Sequence, residues 1–112
     1  MQTIQWNDFE KVELRVGKIV RAEVFTEARK PAYILHVDFG PEFGIKKSSA
    51  QITEHYDVET LPGMLVVGVL NFPSKQIGPI QSECLITGFA DENGHVVLSV
   101  PDKDVPLGSK LF

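Results

Sequence analysis

Apolar residues occupy every second position of one long run: Val12, Leu14, Val16, Val20, Ala22 and Val24, with Glu13, Arg15, Arg21 and Glu23 in the opposite phase. A period of two places these sets on opposite faces of an extended chain. The run therefore reads as one long strand, half-buried against a core. Ile19 is the exception to the phase, and Lys18 breaks the apolar set just after Gly17. Glycine in mid-strand marks a bulge or a sharp coil of the kind that lets a sheet curl on itself. A chain of 112 residues has room for one domain, residues 1–112, around one modest core.

The same period recurs downstream. Tyr33, Leu35, Val37 and Phe39 alternate with Ala32, Ile34, His36 and Asp38, and Gly40-Pro41-Glu42 turns the chain. A more polar strand is expected around Ile45 to Ser49. Asp57 to Leu61 reads as one helical turn, capped by Asp57 and stopped by Pro62-Gly63. Met64 to Asn71 is almost continuously apolar, as a buried strand is. Residues 73–79 are expected to be irregular, Gln81 to Phe89 a strand, and Glu92-Asn93-Gly94 a hairpin turn before Val96 to Val100. Five or six short strands with a long, coiled first strand favour an all-β, five-stranded OB-fold barrel with short helical turns over a sandwich.

Several classes fall away. The longest apolar stretch, Met64 to Leu70, is seven residues, against the roughly twenty of a membrane-spanning helix. With no basic start and no apolar leader segment, the expectation is a cytoplasmic protein without membrane insertion. Eleven Lys and Arg against fifteen Asp and Glu exclude a whole-protein argument for nucleic-acid binding. The charge is uneven, however: residues 11–47 are net basic and residues 81–112 net acidic. An acidic protein can still present a basic face, because the local field steers a polyanion.

Little in the sequence carries chemistry. Cys84 alternates with Ile86 and reads as a small core residue. His36 and Asp38 share a strand face, but without a third ligand nearby they read as polar surface residues, and no metal or cofactor is expected. His55 and His95 read as solvated. Nucleophile–base pairs and phosphate-binding glycine loops are absent, so no enzymatic activity is expected. What remains is a basic, amide- and hydroxyl-rich set: Arg29-Lys30, Lys46-Lys47-Ser48-Ser49-Ala50-Gln51, and Asn71-Phe72-Pro73-Ser74-Lys75-Gln76. In an OB barrel the second and third strands and their flanking loops form the ligand face. Lysines there attract phosphates, and Tyr33 or Phe72 offers a ring on which a base could stack. At the ends of the chain, Ile4, Trp6 and Phe9, with Val105, Leu107, Leu111 and Phe112, are more apolar surface than one small barrel easily covers. They are expected to form a homodimer interface.

The run Asp8-Phe9-Glu10-Lys11-Val12-Glu13-Leu14-Arg15-Val16-Gly17-Lys18-Ile19 resembles the opening of the tRNA-binding domain, an OB-fold module found alone and appended to methionyl- and phenylalanyl-tRNA synthetases. Three further stretches, 28–33, 44–53 and 69–77, resemble the CsaA-type secretion chaperones of that family. The resemblance implies a homodimeric five-stranded barrel that binds without catalysis, with Lys47, Asn71 and Ser82 on the ligand face. Arg29, Lys30, Lys46, Phe72 and Lys75 complete the candidate set. Two features depart from the tRNA binders: Leu85 stands where relatives often carry Met, and the Ser48-Ser49-Ala50 region lacks their Gln. The departures favour unfolded or precursor polypeptides, bound for export, as ligand, with tRNA on the same face as the alternative.

Overall fold

The computed structural model describes residues 1–112. In chain order it comprises helix α1 (Trp6–Glu10) and strands β1 (Leu14–Val24), β2 (Tyr33–Asp38), β3 (Ile45–Ala50), β4 (Leu65–Val69), β5 (Lys75–Ile77), β6 (Ile80–Ser82), β7 (Leu85–Ile86), β8 (Gly88–Ala90) and β9 (Val96–Leu98). No helix is long and apolar enough to cross a membrane. β1 pairs antiparallel with β4 through Leu14–Lys18 and with β2 through Lys18–Val24, so one strand serves both sides of the barrel. The sheet runs β3–β2–β1–β4–β7. It all but closes where β3 meets the segment after β6. There the Glu83 N–H donates to the Lys47 carbonyl (2.8 Å) and the buried Ser48 hydroxyl donates to the Cys84 carbonyl (2.9 Å). This is the antiparallel five-stranded barrel expected from the sequence, with Ile19, Leu35, Val37, Phe39 and Val66 fully buried at its centre.

β1 explains how the barrel coils, and it corrects the expected phase. Val16 points inward, Lys18 outward and Ile19 inward; Ile19 is a core residue, whereas Val20 and Val24 are exposed. The register slips between Ile19 and Arg21, so the bulge lies around Val20 and not at Gly17. Gly17 has a different task. A Cβ there would lie 2.6 Å from Val37 and 2.7 Å from Phe39, so glycine lets two core side chains cross directly over the strand.

The expected single strand from Gln81 to Phe89 is also corrected. This extended run changes partner repeatedly: β6 pairs with β5, Glu83 bonds to β3, β7 pairs with β4, and β8 pairs with β9. Alternation records extended backbone and not a single neighbour, which is why the sequence shows one strand. Residues 73–79, expected to be irregular, contain β5 and the turn of its hairpin with β6. Asp57 does begin a turn, but through its carbonyl, which accepts from Thr60 and Leu61. Helix α1 was not anticipated; Asp8 Oδ2 accepts the Gln5 N–H at 2.9 Å and fixes its first turn.

The C-terminal segment is tied to the barrel wall. Gly108 and Leu111 donate backbone hydrogen bonds to Val16 and Leu14 of β1. Glu13 accepts from Arg15 (2.6 Å) and from Lys110 (2.9 Å), while Arg15 also reaches the Gly108 carbonyl and lies over the Phe43 ring. Hydrogen bonds from Arg15 and then Lys110 hold the Glu13 carboxyl below the usual carboxylate range.

Candidate functional site

The β5–β6 hairpin and the edge of β3 enclose a cleft of about 320 Å³, lined on its polar side by Ser49, Lys75 and Ser82 and on its apolar side by Phe72, Pro73 and Leu85. Its geometry follows from register. Lys75 sits directly opposite Ser82 in the hairpin, and the Ser82 hydroxyl accepts the Ser49 N–H at 3.1 Å, which fastens the hairpin to β3. Along β3, Ser48 and Ala50 are buried, so Lys47 and Ser49 share the outer face. Lys47 stands across from His36 on β2, and its own N–H donates to Glu83 Oε1 at 2.9 Å. Lys47, Ser49, Ser82 and Lys75 therefore form a polar band across three strands. Phe72 (57% exposed) and Leu85 (50% exposed) provide apolar surface beside it.

The remaining candidates do not line this cleft. Lys46 falls in the inward phase of β3, opposite Val37. Lys30 borders a separate depression with Pro31, Gln51, Glu54, Gly94 and Val96. Arg29 is exposed in the β1–β2 connection. Asn71 directly precedes Phe72, and its amide bridges backbone: Oδ1 accepts the Glu13 N–H (3.0 Å) and Nδ2 donates to the Lys11 carbonyl (2.6 Å). Tyr33 offers no stacking platform, which corrects that expectation. It is buried, its hydroxyl donates to the Tyr56 carbonyl at 2.7 Å, and Phe72 is left as the ring available to a base or an apolar side chain.

Charge pairing sorts the bases. Lys11, Arg15, Arg21, Lys103 and Lys110 each have an acidic partner within 4 Å. Arg29, Lys30, Lys46, Lys47 and Lys75 have none, and Lys18 alone shares that status. The bases free to meet an external anion are thus nearly the set chosen from the sequence. Leu85, Pro73 and Ile77 were not chosen as site residues, because an alternating apolar residue reads equally well as core; only the change of strand partner turns Leu85 outward. Cys84 borders the cleft but is buried, and burial, with the Glu83 charge beside it, pushes its thiol up to about 12. A thiol so seldom ionised is a poor nucleophile.

A nearly closed antiparallel barrel of this strand order, with an apolar and basic cleft on its surface, is an OB-type module. The chain belongs to the tRNA-binding domain family: residues 14–110 match the family model described as "Putative tRNA binding domain". It is 34% identical over 111 residues to the methionine–tRNA ligase of Pyrococcus horikoshii and 35% identical over 108 residues to that of Nanoarchaeum equitans. These matches cover 99% and 96% of this chain but only 15% and 13% of the ligases, so the chain corresponds to a small part of those enzymes. Two solved structures are similar over full length. The chaperone CsaA of Bacillus anthracis shares 44% identity with a TM-score of 0.92, covering 99% of this chain and all (100%) of that one. The CsaA chaperone protein of Picrophilus torridus shares 44% with a TM-score of 0.90, covering 98% and 100%.

Proposed function

We propose that the protein is a non-catalytic, cytoplasmic chaperone that binds unfolded or precursor polypeptides for export, acting as a homodimer with the cleft beside β5–β6 as its binding site. The observation that carries this reading is the exposed Phe72–Leu85 surface inside a cleft rimmed by Lys75 and Ser82. Apolar anchors in a pocket with a basic rim suit an extended chain whose side chains vary. The 44% identity to CsaA chaperones along the whole chain supports it. The dimer reading rests on the termini. The Lys110 ammonium donates to the Glu10 carbonyl at 2.9 Å, so the tail lies beside the end of α1. Ile4, Trp6, Val105, Leu111 and Phe112 are all exposed. Phe9 and Leu107 are half-buried. Two clefts on one particle raise the effective concentration for a long ligand.

The unpaired bases favour a second reading, structure-specific tRNA binding on the same face, which agrees with the family match. A salt titration distinguishes the two. Binding through several phosphates weakens steeply between about 50 and 200 mM salt, whereas apolar binding changes little. The test measures both a reduced, unfolded polypeptide and tRNA against wild type and an Arg29/Lys30/Lys47/Lys75→Ala quadruple variant. Salt-insensitive polypeptide binding stronger than tRNA binding supports the chaperone reading. Steeply salt-dependent tRNA binding, lost in the quadruple variant, supports the second. A folded quadruple variant that binds both ligands as wild type does would show that these bases take no part in either.

A further inference from the structure

Where the β3–β4 connection meets the β8–β9 hairpin, two histidines expected to be solvated are brought to one carboxylate. His55 Nε2 lies 2.7 Å from Asp91 Oδ2, and the His55 and His95 rings meet edge to face with centroids 5.7 Å apart. One ligand atom from each of His55, Asp91 and His95 lies within 4.8 Å of the others. We propose that these three residues bind one divalent transition-metal ion of the zinc class.

The donor chemistry and the local scaffold both suit such an ion. Two imidazole nitrogens and one carboxylate oxygen form a ligand set that zinc takes readily, with a fourth position left to water or another donor. Metal–ligand bonds of about 2.0–2.2 Å in a tetrahedron place ligand atoms roughly 3.4 Å apart. The 2.7 Å pair must open slightly and the wider separations must close, which small side-chain rotations can supply.

Asp91 and His95 are already set by one turn. The Asp91 N–H donates to the His95 carbonyl at 2.8 Å, closing the β8–β9 loop. Asp91 Oδ1 accepts the N–H groups of Asn93 and His95, both at 2.9 Å. These bonds fix the carboxylate and direct Oδ2 toward the histidine, the role that outer-shell hydrogen bonds perform in metal sites. His55 comes from the β3–β4 connection, thirty-six positions before Asp91. A bound ion would therefore staple that connection to the β8–β9 hairpin. It would stabilise the fold without entering the cleft.

The test uses untagged protein stripped with chelator, titrated with Zn²⁺ by calorimetry and with Co²⁺ by visible absorption. The expected result is one ion per chain, four-coordinate cobalt bands, and a thermal midpoint that rises with zinc. His55→Gln and His95→Gln should each weaken binding by more than the roughly 10–100-fold that outer-shell changes cost. Glutamine at 55 still offers Asp91 a hydrogen bond, so an unchanged metal-free melt certifies its fold. His36→Gln, at a histidine that pairs with Glu23 elsewhere on the surface, should bind as wild type does. Wild-type protein that takes up no zinc, or folded His55→Gln and His95→Gln variants that bind zinc as tightly as wild type, would overturn the assignment.

Discussion

Phe72→Ala removes the largest exposed apolar surface in the cleft, and its effect can be estimated from burial. A phenylalanine buries on the order of 200 Å² when fully covered. Phe72 is 57% exposed, which leaves roughly 110 Å² for a ligand to cover. At about 25 cal/mol per Å², complete coverage is worth about 3 kcal/mol, and half coverage about 1.4 kcal/mol. Polypeptide affinity should therefore fall roughly 10- to 100-fold. The buried remainder sets the stability cost at no more than about 2 kcal/mol, so binding is to be measured well below the melt. Loss of a stacked base costs a similar 1–3 kcal/mol or so, which means the magnitude alone does not name the ligand. The salt dependence does. Fluorescence anisotropy of a labelled unfolded polypeptide should show Phe72→Ala more damaging than Lys47→Ala at every salt concentration. With tRNA as ligand, Lys47→Ala should flatten the slope of log affinity against log salt by about one unit. A Phe72→Ala protein that binds both ligands within about threefold of wild type, against the tenfold minimum estimated from half coverage, would refute the placement of the site.

Gly17→Ala should cost about 2 kcal/mol and lower Tm by roughly 10 °C, because a Cβ would press on Val37 and Phe39, both fully buried; calorimetry showing no loss would contradict the crossing described for β1. Cys84 should resist alkylation in the native state and react on denaturation. Since its folded thiol titrates at about 12 against an ordinary 9.0, the unfolded chain loses that proton first, so stability should decline as pH rises between those values. Urea melts should show a shallower alkaline decline in Cys84→Ala than in wild type, and equal slopes would contradict the burial argument. Light scattering should give a dimer mass for wild type and a shift toward monomer for Leu111→Glu/Phe112→Glu, and a wild-type monomer would remove the proposed interface.

The architecture was legible because its main signal is local. Alternation in residues 33–39 is matched by the buried–half-buried alternation of β2, and the polar character of residues 45–49 by half-buried Lys46, Lys47 and Ser49 on β3. What escaped notice depends on neighbours that a single run of sequence does not contain. The core role of Ile19 follows from a register slip fixed by β2 and β4 together. The division of Gln81 to Phe89 follows from four successive partners. Helix α1 has one turn and apolar residues that remain exposed or half-exposed, so no buried periodicity announced it.

The candidate bases were legible in the sequence by residue type, whereas the direction each one takes was not. Arg29, Lys30, Lys46, Lys47 and Lys75 all lack acidic partners, although Glu27 stands only two positions before Arg29, the spacing at which Arg21 and Glu23 do pair. Their directions were settled by pleat and connection. The even-numbered positions of β3 face inward, which sends Lys46 away from Lys47. The β1–β2 connection carries Lys30 to a depression shared with Gly94 and Glu54. Of these bases only Lys75 lines the cleft, whose other walls are largely apolar. A polyanion crossing this surface would meet dispersed charge; an extended polypeptide would meet Phe72 and Leu85 together, with Lys75 left to its carboxylates and carbonyls. The compact apolar element is the feature on which the proposed polypeptide ligand rests, and the unpaired bases are the feature on which tRNA rests.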